Sequence, residues 1–146
     1  MTVQFQNGAA SPEMIHMIRT KCVHAPIDRK ADGLRVLITR SRGRGMRKTR
    51  YDAWMANLGP SEALLKSFRA EAISWAAFKR NYRRELFENG GVDRRNKTIK
   101  NHGQKFTLRL LQRLGRSQRI TLMCHCDEMT EHCHRYVLRD LLTSKI

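Results

Sequence analysis

The sequence lacks any apolar run close to the roughly 20 residues that a membrane-spanning helix needs, so a membrane is not an expected partner. Its first residues have neither the basic start nor the apolar middle of a secretory signal. In a chain without such a signal, four cysteines favour free thiols or thiolate ligands over a framework of disulfide bonds. We therefore expect a cytoplasmic protein whose cysteines stay reduced.

Acidic residues are missing from two long stretches, one between Asp32 and Asp52 and one between Asp93 and Asp127. The chain has 29 Lys+Arg against 13 Asp+Glu, a formal net charge of +16. Such a surface attracts polyanions, because neutralising phosphates releases their condensed counterions. This distribution favours nucleic acid or another polyanion as the partner over a merely solubilising charge. The predicted nucleic-acid-binding residues are basic side chains in or near these stretches, namely Arg47, Lys48, Arg50, Arg94, Arg95, Arg109, Arg113 and Arg116.

Short alternating segments and helically spaced apolar residues follow one another along the chain. Residues 34–40 and 120–124 have the alternation and β-branched content of strands, whereas residues 14–23 fit either a strand or a short helix. Apolar spacing, capping residues and glycines predict helices over residues 51–58, 61–70, 74–88 and 106–114, and a last helix after residue 135.

Strands interleaved with helices imply an α/β domain whose sheet is mainly parallel and flanked by helices. We predict a loose N-terminal arm at residues 1–11 and a single compact three-layer domain at residues 12–146. Ser61 is expected to cap the helix that follows it. Aromatic side chains at helical spacing are expected in the core, namely Trp54, Trp75, Phe78 and Tyr82. The residues that define the fourth helix are Phe106, Leu110, Leu111 and Leu114.

The segment 124–134 holds three of the four cysteines and three of the six histidines within eleven residues. It follows a predicted strand, and ligands of parallel α/β sheets bind outside the carboxyl ends of the strands. The strand at residues 34–40 also ends in an unusual segment, which is rich in arginine and glycine. We name residues 40–46 the Arg/Gly loop and residues 124–135 the Cys/His loop. If the two strands are neighbours, guanidinium groups and thiols share one crevice.

Three interpretations of the Cys/His loop stay open. The first is a zinc site, although a second Cys/His pair is missing unless Cys22 and His24 contribute. The second is a catalytic thiol, since Cys133 is predicted at the start of the last helix, where the helix dipole and adjacent cations lower a thiol pKa. The third treats the cysteines as small buried hydrophobic residues. If zinc binds, its predicted ligands are Cys124, Cys126, Cys133 and His132.

Several segments recur in the order and spacing of a known family. They are residues 35–40, Arg44-Gly45, residues 54–61, residues 73–82, residues 121–124 and the triplet Cys133-His134-Arg135. Over roughly residues 18–143 the chain resembles the YeaO-like family, also called domain of unknown function 488. The resemblance implies a compact three-layer α/β domain whose biochemical activity is not established.

The resemblance also marks individual positions. Those that match the family's motifs are Arg44, Ser61, Cys124, Cys133, His134 and Arg135. The chain departs from the family at Arg42 and Gly43, where an aromatic residue and a proline usually precede Arg-Gly, and Cys126 is an additional cysteine. These departures make the predicted crevice more cationic.

Together these features predict a protein that acts on or binds nucleic acid or nucleotides in a crevice of cysteine, histidine and arginine side chains. As an enzyme it would use Cys133 or Cys124 as the nucleophile, assisted by His134 and Arg135. The predicted substrate- or anion-binding residues are Arg40, Arg42, Arg44 and Ser61. The alternatives are a non-catalytic nucleic-acid-binding module, with or without zinc as a stabilising ion, and a protein that binds acidic partners. Zinc apart, no cofactor is expected, and the domain is expected to fold without metal.

Overall fold

The computed structural model describes residues 17–90, 101–102 and 104–146. Two predictions fall outside the described residues: the loose arm at residues 1–11, and the nucleic-acid-binding residues Arg94 and Arg95. In the described part, no helix is both long enough and apolar enough to cross a membrane.

A parallel sheet of four strands organises the chain, in the spatial order β1-β6-β2-β3. Its strands are β1 (Ile18–Cys22), β2 (Leu34–Leu37), β3 (Ala53–Trp54) and β6 (Ile120–Cys124), while β4 (Asn89–Gly90) and β5 (Asn101–His102) form a separate antiparallel pair. The last strand is inserted between the first two, with Ile120 opposite both Ile18 and Leu34. The carboxyl ends of β2 and β6 therefore lie side by side.

Helices connect the strands and cover the sheet. Within the described ranges they are α1 (Arg29–Asp32), α2 (Glu62–Arg69), α3 (Trp75–Phe87), α4 (Lys105–Gly115) and α5 (His134–Leu142), with 3-10 turns at Lys48–Arg50 and Ala56–Leu58. Ser61 caps α2 by accepting from the Leu64 backbone N–H at 3.1 Å, and Ser74 caps α3 in the same way. The predicted α/β class, parallel sheet and Ser61 cap are confirmed.

The two faces of the sheet are covered unequally. Side chains alternate along a strand, so one face presents Val36 and Leu122 to the main core and the other presents Leu37 and Met123. The main core joins the first face to α2, α3, α4 and α5. The second face is covered by the short α1, whose Asp32 carbonyl accepts from the Thr121 hydroxyl at 2.6 Å, and by residues 46–51.

The prediction of a helix over residues 51–58 is wrong. This segment forms β3 and a 3-10 turn, because Ala53 pairs with Val36 at the edge of the sheet. Trp54, predicted to be in the core, is 42% exposed, and its indole N–H donates to the Thr39 carbonyl at 2.7 Å. Residues 14–23, for which the sequence allowed a strand or a helix, contain the strand β1. Tertiary pairing overrode helical spacing in the first of these segments.

The helix predicted over residues 106–114 is confirmed as α4, and its buried face includes only some of the apolar residues that define it. Phe106 and Leu110 are exposed, by 77% and 54%, whereas Leu108 and Leu111 are fully buried. The helix approaches the sheet closely at its end, where a Cβ on Gly115 would lie 3.0 Å from the Ile18 side chain. That approach sets the rotation of the helix about its axis. Phe78 and Tyr82 are buried in the main core as predicted, whereas Trp75 is half-buried and packs against it.

Candidate functional site

The Arg/Gly loop and the Cys/His loop lie against each other, as the adjacency of β2 and β6 requires. The His125 Nε2 atom is 3.2 Å from the Ser41 carbonyl oxygen. A Cβ on Gly43 would lie 3.2 Å from the His125 ring, and the φ of +82° at Gly43 is one that residues with side chains rarely adopt. Glycine therefore lets the two loops approach, and the two strands whose adjacency the sequence left open are neighbours in the sheet.

Three sulfur atoms converge at the start of the Cys/His loop. Cys124 ends β6 and Cys133 is the N-cap of α5, and their Sγ atoms are 3.1 Å apart. The Sγ of Cys126 completes the group, in which all three sulfurs lie within 4.8 Å of one another. Cys124 and Cys133 are buried, whereas Cys126 is half-buried. Cys22 is the register partner of Cys124 on β1 but is not part of this group.

Arg135 holds the Cys/His loop from the inside. Its side chain is fully buried, and Nη1 donates to the Cys124 sulfur at 3.3 Å and to the Cys126 carbonyl at 2.9 Å. Nη2 donates to the Asp127 carbonyl and to the Tyr136 hydroxyl, at 2.8 and 2.9 Å. Its Nε has no hydrogen-bond partner among the described residues. The guanidinium thus closes the loop and places a positive charge beside the sulfurs.

The three thiols influence one another's protonation. Hydrogen bonds from Cys124 and Cys133 lower the pKa of Cys126 to about 2, and the bond with Cys126 raises the pKa of Cys124 to about 11. The bonds with Cys124 and Cys126, together with burial, raise the pKa of Cys133. The cluster as a whole therefore favours a single shared thiolate. The lowered pKa predicted for Cys133 is wrong, because its thiol is buried and bonded to two other sulfurs rather than only facing a helix N-terminus.

His134 is held as a neutral ring. Burial lowers its pKa to about 4. Its Nε2 lies 2.8 Å from the Ile38 carbonyl, and because a carbonyl only accepts, Nε2 carries the proton. The lone pair of Nδ1 then faces the Cys133 sulfur at 3.8 Å. His134 can therefore accept a hydrogen bond from the Cys133 thiol while its ring stays neutral.

The predicted anion-binding residues do not all reach the crevice. Arg40 is buried and donates to the Gly59 carbonyl at 2.8 Å. Ser61 is buried as well, and its hydroxyl and backbone N–H both donate to the Glu85 carboxylate. Arg42 is half-buried near the Tyr51 hydroxyl, and Arg44 is exposed. Of the four, Arg42 and Arg44 are thus placed where a soluble anion can reach them.

The predicted nucleic-acid-binding residues that the structure describes fall into two separate areas. Arg47 and Lys48 are exposed just after the Arg/Gly loop, whereas Arg50 donates to the backbone carbonyls of residues 24 and 25. The second area is the exposed side of α4, with Arg109, Arg113 and Arg116. Because Gly115 packs on the first residue of β1, Arg116 lies at the end of the sheet opposite the Cys/His loop. Among the residues that the structure describes, these basic side chains therefore do not form one continuous surface.

A metal ion could be held by sulfur ligands in this site. The predicted zinc set included His132, but that ring is exposed and stacks on Trp75, with 4.8 Å between ring centroids. Among the described residues, the group able to share one ion consists of the three cysteines alone. Cys126 was not predicted from the sequence to be the accessible thiol. Local spacing carried no signal for this, because Cys126 follows the end of β6 and its exposure depends on how the loop packs.

Comparisons with known proteins identify the family of this chain. The family model described as "Active DUF488-N3 subclade" matches residues 18–146. The "Uncharacterized protein YeaO" of Escherichia coli (strain K12) is 30% identical over 129 residues, which cover 87% of this chain and 97% of YeaO. No solved structure matches the chain. The chain therefore belongs to the YeaO-like family, domain of unknown function 488.

Proposed function

We propose that the chain is a cysteine-dependent enzyme that acts on a phosphate-bearing substrate, a nucleotide or a nucleic acid, between the Arg/Gly loop and the Cys/His loop. The observation that supports this proposal is the pair of hydrogen-bond donors that point at the sulfur cluster. The buried guanidinium of Arg135 lies 3.3 Å from the Cys124 sulfur, and the Cys126 backbone N–H lies at the same distance. Donors in these positions stabilise negative charge on sulfur, and a thiolate is the nucleophilic form of cysteine.

The three sulfurs differ in their exposure to solvent, and we assign them different roles on this basis. Cys126 is half-buried and is the sulfur of the cluster that a substrate can reach, so we assign it as the nucleophile in place of Cys133 or Cys124. Its sulfur forms a bond to the electrophilic centre, the leaving group departs with its bonding electron pair, and water then cleaves the covalent intermediate. His134, which burial holds as a neutral ring, orients the Cys133 thiol through Nδ1 rather than taking up a proton.

The charge around the crevice supports a phosphate-bearing substrate. Arg44, Arg47 and Lys48 are exposed on or beside the loop that contacts His125. Exposed cations at such an edge contact phosphate oxygens without selecting a base sequence. We therefore expect weak discrimination among nucleotide sequences and a strong dependence of binding on salt.

The nucleophile is tested by alkylation of the metal-free protein. Iodoacetamide labelling at neutral pH, followed by peptide mass spectrometry, compares Cys126 with the thiol of a short unstructured peptide. We expect Cys126 to react at least about tenfold faster, because a free thiol with a pKa of about 8.5 is mostly protonated at neutral pH. A C22S variant serves as the control and should leave this rate unchanged. A Cys126 rate equal to or below that of the peptide thiol contradicts the assignment.

The substrate class is tested by binding to duplex DNA and to single-stranded RNA over a series of salt concentrations. On duplex DNA the logarithm of affinity should fall with the logarithm of salt by about 0.9 for each phosphate contact. The combined variant R42Q/R44Q/R47Q/K48Q should flatten this slope, whereas R109Q/R113Q/R116Q on α4 should leave binding near the Cys/His loop intact. Absence of binding at low salt, or a slope that only the α4 variant changes, would overturn the proposed substrate class.

A further inference from the structure

The cysteine cluster has a second capability besides nucleophilic chemistry. Three sulfurs from two adjoining elements, the end of β6 and the start of α5, lie within 4.8 Å of one another. Cys124 and Cys133 are nine residues apart in sequence, yet their sulfurs are 3.1 Å apart. Thiolates are the preferred ligands of Zn²⁺ and other thiophilic ions. This arrangement can therefore offer three soft ligands to one ion.

We propose that Cys124, Cys126 and Cys133 bind one Zn²⁺ ion through three thiolates, with a fourth coordination position that faces solvent. Zinc–sulfur bonds are about 2.3 Å long, so three sulfurs of a tetrahedral site stand roughly 3.8 Å apart. The present separations lie on both sides of that value, up to 4.8 Å. Cys124 and Cys133 need to separate by roughly 0.7 Å, which a small side-chain rotation supplies.

The charge balance favours this ion. Three thiolates and one Zn²⁺ leave a single negative charge, and Arg135 places its guanidinium 3.3 Å from the Cys124 sulfur. A buried anionic metal complex beside a buried cation is compensated, whereas three bare thiolates are not. Each thiol that is protonated in the metal-free protein releases its proton to the buffer when zinc binds.

Among the described residues, no side chain joins the three sulfurs as a fourth ligand, so the fourth coordination position faces solvent. His132 stacks on Trp75. The His134 Nδ1 atom is 3.8 Å from the Cys133 sulfur, but His134 is not in the group of side chains whose ligand atoms all lie within 4.8 Å of one another. Cys126, which is half-buried, provides the side on which the cluster opens. Zinc sites with three protein ligands and an exchangeable fourth are a known class.

The metal-bound and metal-free forms are alternatives. Zn²⁺ uses the same sulfur that the proposed enzyme uses as its nucleophile, so binding of zinc blocks alkylation and thiol-dependent activity. The fold does not depend on this ion, because the main core lies among α2, α3, α4, α5 and the sheet rather than around the sulfurs. Zinc is therefore inferred to act as a reversible mask of the site and not as a structural ion.

The experiment uses Co²⁺ as a spectroscopic probe in the metal-free full chain under anaerobic conditions. We expect one equivalent to produce sulfur-to-cobalt charge-transfer bands with the intensity of three thiolates and visible bands of tetrahedral Co²⁺. One equivalent of Zn²⁺ should remove both sets of bands. Added imidazole should shift the visible bands, because it enters the open fourth position.

Matched variants locate the ligands. C126S should lower the affinity for Co²⁺ at least about tenfold and reduce the charge-transfer intensity, whereas C22S should match the unmodified chain. If C126S fails to fold, protection of Cys126 from iodoacetamide by Zn²⁺ in the unmodified chain answers the same question. Absence of the charge-transfer bands, bands that persist in C126S, or binding of Cu⁺ without Co²⁺ or Zn²⁺ would overturn the zinc site.

The proposed function and the zinc site can fail separately. Rapid alkylation of Cys126 without any metal binding removes the zinc site and retains the nucleophile. Metal binding with three thiolates in a protein whose metal-free Cys126 is unreactive removes the nucleophile and retains the zinc site.

Discussion

The Cys/His loop and the Arg/Gly loop follow adjacent strands and contact each other at His125, but they are held in different ways. The Cys/His loop is closed from inside by Arg135, which is fully buried and donates to a sulfur, two carbonyls and a hydroxyl. The Arg/Gly loop has glycines with positive φ at positions 43 and 45, and Arg44 between them is exposed. A buried network therefore positions the sulfurs, while the exposed charges next to them can adapt to a ligand.

The strongest test of this contrast removes the internal anchor. R135M should lower the free energy of unfolding by about 3 kcal/mol, because it leaves buried carbonyls and a sulfur without their charged donor. R135K keeps a charge but not the planar fork, and an intermediate loss is expected. Urea denaturation measures both.

The matched control lies in the other loop. R44M changes an exposed arginine and should alter the free energy of unfolding by no more than about 0.5 kcal/mol. If R135M is no more destabilising than R44M, Arg135 does not anchor the Cys/His loop and the contrast between the two loops is lost.

A pair of glycine variants tests the contact between the loops. Gly45 has a φ of +71°, and a Cβ added there would meet no atom within 4 Å, so G45A should lose about 1 kcal/mol through backbone strain alone. Gly43 combines a φ of +82° with a Cβ position 3.2 Å from the His125 ring. G43A should therefore lose about 1 kcal/mol more, through overpacking.

Thermal unfolding of the two glycine variants measures this difference. The iodoacetamide rate of Cys126 should change in G43A and stay unchanged in G45A, since His125 precedes Cys126 directly. Equal stability and equal labelling of the two variants would show that the contact at Gly43 does not couple the loops.

A pH series tests whether the segment after the Arg/Gly loop is tied by an ion pair. Arg35 donates to the Asp52 carboxylate at 2.9 Å and to the Thr49 carbonyl at 2.8 Å, and the hydrogen bond from Arg35 lowers the pKa of Asp52. The folded pKa lies below the unfolded value of about 3.9, so the stabilisation is complete above that value. It is lost as the pH falls through the folded pKa.

The expected size of this effect is below about 1 kcal/mol, because Asp52 is partly exposed to solvent. D52N should be less stable than the unmodified chain near neutral pH, and the difference should shrink as the solution becomes acidic. Chemical denaturation at several pH values follows it. A difference that grows towards acid would show the opposite sign of the shift and contradict the pairing.

The smallest expected effect concerns the fold without metal. Treatment with a chelator should leave the far-ultraviolet circular dichroism unchanged, since the main core is built from the sheet and helices. In a chain prepared without metal, the chelator should also leave the melting temperature nearly unchanged. Unfolding of the metal-free chain would instead show that the Cys/His loop depends on a structural ion.

Local sequence patterns predicted several parts of the molecule that long-range contacts then left unchanged. The alternation at residues 120–124 predicted β6, and Ser61 was recognised as a cap from its place before a helical pattern. The expectation that the Arg/Gly loop and the Cys/His loop could adjoin came from the same kind of signal, because two strands ended in unusual loops. Where a short segment's pairing partner was distant, as for Ala53 and Val36, the local pattern predicted the wrong element.

Local spacing along the chain was enough to establish the α/β class and the position of cysteine and arginine side chains at a strand end and a helix start, because these properties depend on residues a few positions apart. The excess positive charge followed from composition alone. Tertiary packing was needed to establish that β6 lies between β1 and β2, that Arg135 is buried against Cys124, and that Cys126 is the accessible sulfur of the cluster. These outcomes depend on distances between segments far apart in the chain and on which surfaces the packing leaves open, and neither is encoded in local spacing.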